Sequence, residues 1–276
     1  MGTTSYAGKD GMHMRPPKWL FATAAITSAA VWAAGCAEPE RSSRAPAGQT
    51  DAVAAVSPAL ADYRDRIIEG ELWQRAGLTP RDRSVVTVAA LIARNQAVAM
   101  PEQFGRALDN GVTPAELSEI ITHLAFYAGW PNALAAVDAA ARLFADRGVD
   151  TADLPSVDDP LLPLDVAAED QRRTGVEQNY GAVAPGVAQY TTDVLFTDLW
   201  LRPGLAPRDR SLITVSALVA AGQTGQITYH LGRAMDSGLT QEQASEVLTQ
   251  LAFYGGWPTV FSALPVFKDV FANRSR

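Results

Sequence analysis

At 276 residues and 29.4 kDa, the chain has room for about two compact domains. Hydrophobic residues at 47%, charged residues at 19% and a mean hydropathy of −0.01 exclude a disordered chain and a multi-span membrane protein. A net charge of −7 and a pI near 5.0 repel a phosphate backbone, so no nucleic acid partner is expected, and a single cysteine, Cys36, excludes disulfide scaffolds, CxxC pairs and thiolate zinc sites.

The chain opens with Arg15 and Lys18, then an uncharged run over residues 20–34, then Gly35 and Cys36. A basic end, a short apolar stretch and small residues before a cut predict a secretory signal over residues 1–35. Ala33-Ala34-Gly35-Cys36 has the form of a lipobox, which makes Cys36 the expected lipidation site. The expected product is a lipid-anchored protein of the bacterial cell envelope, facing the periplasm or the exterior. The run is too short to span a bilayer comfortably, since a transmembrane helix needs about 20 residues. Residues 36–57, rich in Pro, Ser, Ala and Gly, read as a flexible tether.

The strongest pattern is internal. LTPRDRSVVTVAALIA from Leu78 recurs as LAPRDRSLITVSALVA from Leu205, and HLAFYAGWP from His123 recurs as QLAFYGGWP from Gln250. At a constant offset of 127, residues 78–131 and 205–258 share 28 identities in 54 positions. Leu72-Trp73 and Leu199-Trp200 extend the match upstream. Two homologous domains, 53–148 and 180–272, follow, joined by a proline-rich acidic linker over 149–179.

Each copy reads as helices. Thr79 can cap a helix with Pro80 at its first position, and Val85, Val88, Leu91 and Ile92 supply a broad apolar stripe. A second helix ends at Asn110-Gly111 or Ser237-Gly238. Thr113 with Glu116, and Thr240 with Gln243, form capping boxes for a third, and Pro131 starts a fourth. No segment alternates as a strand does, so the expected fold is all-α: two tandem helical bundles packed as a pseudo-dimer. Phe126, Tyr127 and Trp130, retained in the second copy, read as core.

RDRS before an apolar helix, H-x-x-x-A, N/S-G-x-T and HLAFYAGWP together resemble the carboxymuconolactone decarboxylase family, whose members share the alkylhydroperoxidase D-like fold. That family includes lyases that decarboxylate a carboxylated muconolactone and thiol-dependent peroxide reductases. The resemblance places the reductase cysteines at Gln223 and Gln226 in the second copy and at Gln96 and Ala99 in the first, so the thiol chemistry is not expected here. The lyase pattern E-L-x-x-H becomes Gln226-Ile227-Thr228-Tyr229-His230, and a second family histidine is His123 in one copy and Gln250 in the other. Each copy keeps one histidine.

The resemblance implies a cofactor-free, metal-free lyase or isomerase acting on a small carboxylated lactone or related acid. Loss of CO2 needs a held carboxylate, a conjugated carbonyl to take electrons and a proton delivered to carbon. His230 and His123 are the expected proton-transfer residues. Arg210, Arg83 and Arg233 are the expected carboxylate ligands, and Ser211, Gln226 and Tyr254 the expected contacts to other substrate oxygens. The alternative is a binding protein that keeps the pocket without the reaction. A homo-oligomer, in the form of a trimer, also follows from the resemblance.

Overall fold

The computed structural model describes residues 49–274. The leader 1–35, Cys36 and the first part of the tether lie outside the described residues. Among the described residues twelve α-helices run in chain order: α1 (Gln49–Val56), α2 (Pro58–Tyr63), α3 (Pro80–Ala93), α4 (Met100–Asp109), α5 (Pro114–Tyr127), α6 (Trp130–Arg147), α7 (Val166–Val176), α8 (Pro185–Tyr190), α9 (Pro207–Ala220), α10 (Thr224–Asp236), α11 (Gln241–Tyr254) and α12 (Trp257–Arg274). No strand occurs among the described residues. The elements α3 to α6 repeat as α9 to α12, as the duplication predicts.

Local chemistry sets the helix starts. The Thr79 hydroxyl accepts from the Asp82 amide at 3.0 Å, and Thr113 and Thr240 close full capping boxes with Glu116 and Gln243. Gly129 and Gly256 adopt φ near +94° and +98°, which turns the chain sharply between the third and fourth helix of each repeat.

The two bundles meet along α3 and α9, which are buried from Asp82 to Ile92 and from Asp209 to Ala220 on a single core shared by both repeats. A helix covered on all sides has no need of an amphipathic stripe, and these two are apolar around most of their circumference. The RDRS motifs lock the junction reciprocally. Arg81 reaches Asp209 at 2.7 Å, and Arg208 reaches Asp82 at 2.6 Å. Such an exchange of equivalent contacts is what an isologous homodimer interface makes, here within one chain.

Three expectations require correction. The tether is not uniformly irregular: its last part forms α1, where alanine propensity replaces an apolar period. The linker holds α7, capped by Asp165, which accepts from the Ala168 amide at 3.1 Å. Its residues lack an apolar stripe because α7 docks through a cation, with the Arg172 guanidinium 4.2 Å over the Phe196 ring. Finally, Phe126 and Trp130 are not core. They are 43% and 60% exposed and face each other edge to face at the corner before α6, as Phe253 and Trp257 do before α12. No helix among the described residues is long and apolar enough to cross a membrane.

Candidate functional site

A chain of polar and aromatic groups crosses the repeat junction. Glu119 of α5 is buried and accepts from Arg210 of α9 at 3.1 Å and from Arg202 at 2.9 Å and 3.1 Å. Arg210 also donates to the Arg202 carbonyl at 2.7 Å. One turn after Glu119, His123 has its Nδ1 at 3.3 Å from Arg210 Nη1 and its Nε2 at 2.7 Å from the Thr214 hydroxyl.

This network fixes the tautomer of His123. A guanidinium only donates, so Nδ1 accepts, the ring proton sits on Nε2 and is donated to Thr214 Oγ1. The Thr214 hydroxyl passes its own hydrogen to the Arg210 carbonyl at 2.8 Å. Complete burial, with Arg210 close by, holds the His123 pKa well below the ordinary histidine range.

His230 lies at the other end of the same aromatic cluster. Trp200 stacks on it at 5.8 Å between centroids and Tyr127 meets it edge to face at 5.3 Å. The same Tyr127 stacks on His123 at 4.9 Å, and Trp200 donates its indole N–H to the Tyr127 hydroxyl at 2.8 Å. The two histidines therefore share both aromatic neighbours. They differ in their bonding: Nδ1 of His230 is buried with no hydrogen-bond partner among the described residues. Burial, with a contribution from the Arg233 charge, pushes the His230 pKa down to about 4.

A cavity of about 190 Å³ opens beside this cluster, walled by Trp200, Phe196, Tyr229, Arg233 and Arg172. His230 packs directly behind Trp200 and Tyr229. The Arg233 guanidinium sits 4.2 Å over Trp200, with Phe196 5.6 Å away. Arg172 is neutralised by Glu169 at 2.5 Å, whereas Arg233 has no carboxylate partner among the described residues. Arg233 thus stands as a cation without an ion pair on a concave, aromatic-walled surface whose lining also includes Asp165 and Glu169.

The other expected residues are placed elsewhere. Arg210 belongs to the junction, committed to Glu119, His123 and a carbonyl. Ser211 is fully buried and bonds back to the Pro207 carbonyl at 2.9 Å. Gln226 is exposed, one helical turn before His230. Arg83 and Tyr254 lie in the repeat-related copy of the cluster. There Glu246 accepts from Arg83 at 3.0 Å, Gln250 stands at the His123 place, and Trp73 donates to the Tyr254 hydroxyl at 3.0 Å.

Sequence reasoning missed Glu119, Thr214, Phe196 and Arg172. For the first two a signal existed, because Glu119 and Thr214 recur as Glu246 and Thr87 at the repeat offset. Phe196 and Arg172 carry none, since the first is Glu69 in the other copy and the second lies in the linker.

Two helical bundles that exchange polar contacts across paired α3 and α9 define an alkylhydroperoxidase D-like fold doubled within one chain. The chain belongs to the carboxymuconolactone decarboxylase family, whose model matches it twice, over residues 58–142 and 185–269. It is similar to 4-carboxymuconolactone decarboxylase of Acinetobacter baylyi, 38% identical over 88 residues, which are 32% of this chain and 66% of that protein. It is also similar to nitrosuccinic acid decarboxylase of Metarhizium robertsii, 34% identical over 68 residues, 25% of this chain and 48% of that one. The matched segments span less than two thirds of these relatives. A solved structure described as a gamma-carboxymuconolactone decarboxylase subunit of Burkholderia xenovorans superposes with a TM-score of 0.51. It covers 83% of this chain and 92% of its own at 19% identity, which shows the likeness of fold.

Proposed function

We propose that the chain is a lyase that removes CO2 from a small carboxylated lactone or related acid, with Arg233 holding a substrate carboxylate and His230 carrying the proton. The observation that supports this most is the cavity on which Arg233 has no carboxylate partner among the described residues, with His230, whose Nδ1 is unpartnered, packed behind the Trp200 and Tyr229 walls. Two relatives named as decarboxylases of carboxylated small molecules point the same way.

In this reading the bond from ring carbon to the leaving carboxylate breaks. Its electron pair passes through the conjugated system onto the lactone carbonyl oxygen. The resulting enolate takes a proton at carbon, and the double bond moves. His230 supplies that proton after taking one from solvent. In the free chain the ring is neutral, because burial and Arg233 both penalise its charge; an anionic substrate beside Arg233 offsets the second penalty and favours proton uptake. His123 has both nitrogens committed and acts as a positioning residue that holds Tyr127 and Arg210. Cell-envelope export with lipidation at Cys36, and assembly into a homo-oligomer, belong to the same proposal.

The test is turnover of a panel of carboxymuconolactones by the purified chain, followed as CO2 release. Release that is abolished by His230→Ala, with substrate binding retained, supports the lyase. Carboxylate binding without turnover replaces it with the binding-protein reading.

A further inference from the structure

The two copies of the cluster keep the same tryptophan, tyrosine and arginine but differ in how that arginine is paired. In the second repeat Arg233 lies 4.2 Å over Trp200 and carries no carboxylate; in the first, Arg106 lies 4.3 Å over Trp73 and is bound by Glu69 at 2.5 Å. Glu69 is the repeat equivalent of Phe196. Both end a matched π-helical turn, Arg64–Glu69 in one copy and Thr191–Phe196 in the other, so the backbone delivers position 69 and position 196 to the same place beside their arginines.

We propose that Glu69 is a tethered carboxylate occupying, in the first repeat, the seat that a substrate carboxylate takes in the second. The chain then carries one open anion site and one closed from within. The inference rests on the reading that Arg233 binds a carboxylate. The rest of the closed copy is consistent with a seat relieved of its chemistry. Gln103 stands where His230 stands and donates to Glu102 at 3.3 Å, and Glu102 replaces Tyr229. Arg106 still keeps a buried Nη1 with no partner, so its fork is only half used by Glu69. Closing the seat with a residue of the same chain costs little entropy, because position 69 is already fixed by its turn.

The experiment is a calorimetric titration of the full chain with 5-oxotetrahydrofuran-2-carboxylate, a saturated lactone acid that binds without reacting, read as sites per chain. The expected result is one site in the unmodified protein, lost in Arg233→Gln, and two sites in Glu69→Gln. The second site is weaker because Glu102 stays nearby, and it disappears in Glu69→Gln/Arg106→Gln. The Glu69 side chain is 41% exposed, so Glu69→Gln leaves the core untouched, and an unchanged thermal midpoint verifies this. One site in both the unmodified protein and Glu69→Gln overturns the tethered-carboxylate proposal and leaves the Arg233 reading standing. No site in the unmodified protein with one Arg106-dependent site in Glu69→Gln does the reverse. No site in either overturns both.

Discussion

His123 and Gln250 make the same two hydrogen bonds in the two halves of the molecule. His123 accepts from Arg210 through Nδ1 and donates to Thr214 through Nε2; Gln250 accepts from Arg83 through Oε1 at 3.2 Å and donates to Thr87 through Nε2 at 3.0 Å. An amide oxygen and nitrogen reproduce the acceptor and donor of a neutral imidazole, which is why one repeat carries histidine and the other glutamine without disturbing the junction.

His123→Gln should therefore preserve stability to within about 1 kcal/mol, while His123→Ala, which takes one hydrogen bond each from Arg210 and Thr214 and leaves a cavity where the buried ring stood, should cost about 3 kcal/mol. Urea unfolding of the two variants checks the difference. If His123→Gln unfolds as easily as His123→Ala, the isosteric account is wrong. Turnover by His123→Gln, read alongside, separates a positioning role from proton transfer, because glutamine keeps the bonds and cannot carry a proton.

Stability should also report the buried state of His230. The folded ring resists protonation down to about pH 4, whereas an unfolded histidine protonates near 6.5. Below pH 6.5 the unfolded chain takes up a proton that the folded chain refuses, so the contribution is complete above 6.5 and is lost as the pH falls toward 4. The loss is roughly 3 kcal/mol from a shift of this size. His230→Gln copies Gln103 of the other repeat and removes this pH dependence. Unfolding midpoints at pH 7 and pH 4.5 should converge for the variant more than for the unmodified chain; equal slopes would contradict the burial argument.

Gly77 and Gly204 precede the repeat junction at equivalent places, and each lies against a buried glutamate. A Cβ on Gly204 would stand 3.2 Å from Glu119 Cγ and 3.1 Å from Pro155 Cγ, and one on Gly77 would collide with the Glu246 side chain. Gly77→Ala should lower stability by about 2 kcal/mol or more and Gly204→Ala by less, since a neighbour at 3.2 Å can yield where a direct collision cannot. Thermal unfolding of the pair decides it, and a larger loss for Gly204→Ala would show that the Glu119 side is the more rigid.

The duplication, the all-α class, the capping boxes and the helix boundaries in the repeats were legible in the sequence because they depend on neighbours within a few positions. Glycine after the third helix, threonine before it and proline at the start of the fourth act locally, and the folded chain obeys them. The function of RDRS was only half legible. Its aspartates suit a helix start, but that Arg81 and Arg208 reach across to Asp209 and Asp82 depends on how two bundles meet.

The site mixes the two kinds of information. The sequence by itself determined which titratable groups exist: one histidine from each copy, arginines three residues after His230 and within RDRS, and no thiol in the repeats. Only the tertiary structure decided which of them face a cavity. Arg210 and Arg233 are equally charged in the sequence, yet one is sealed between Glu119 and His123 while the other stands unpaired over Trp200. The reason is dielectric and geometric. A buried charge must be paired through contacts distant in the chain, and whether a partner arrives is set by helix packing and by the Phe196 or Glu69 delivered from a remote turn.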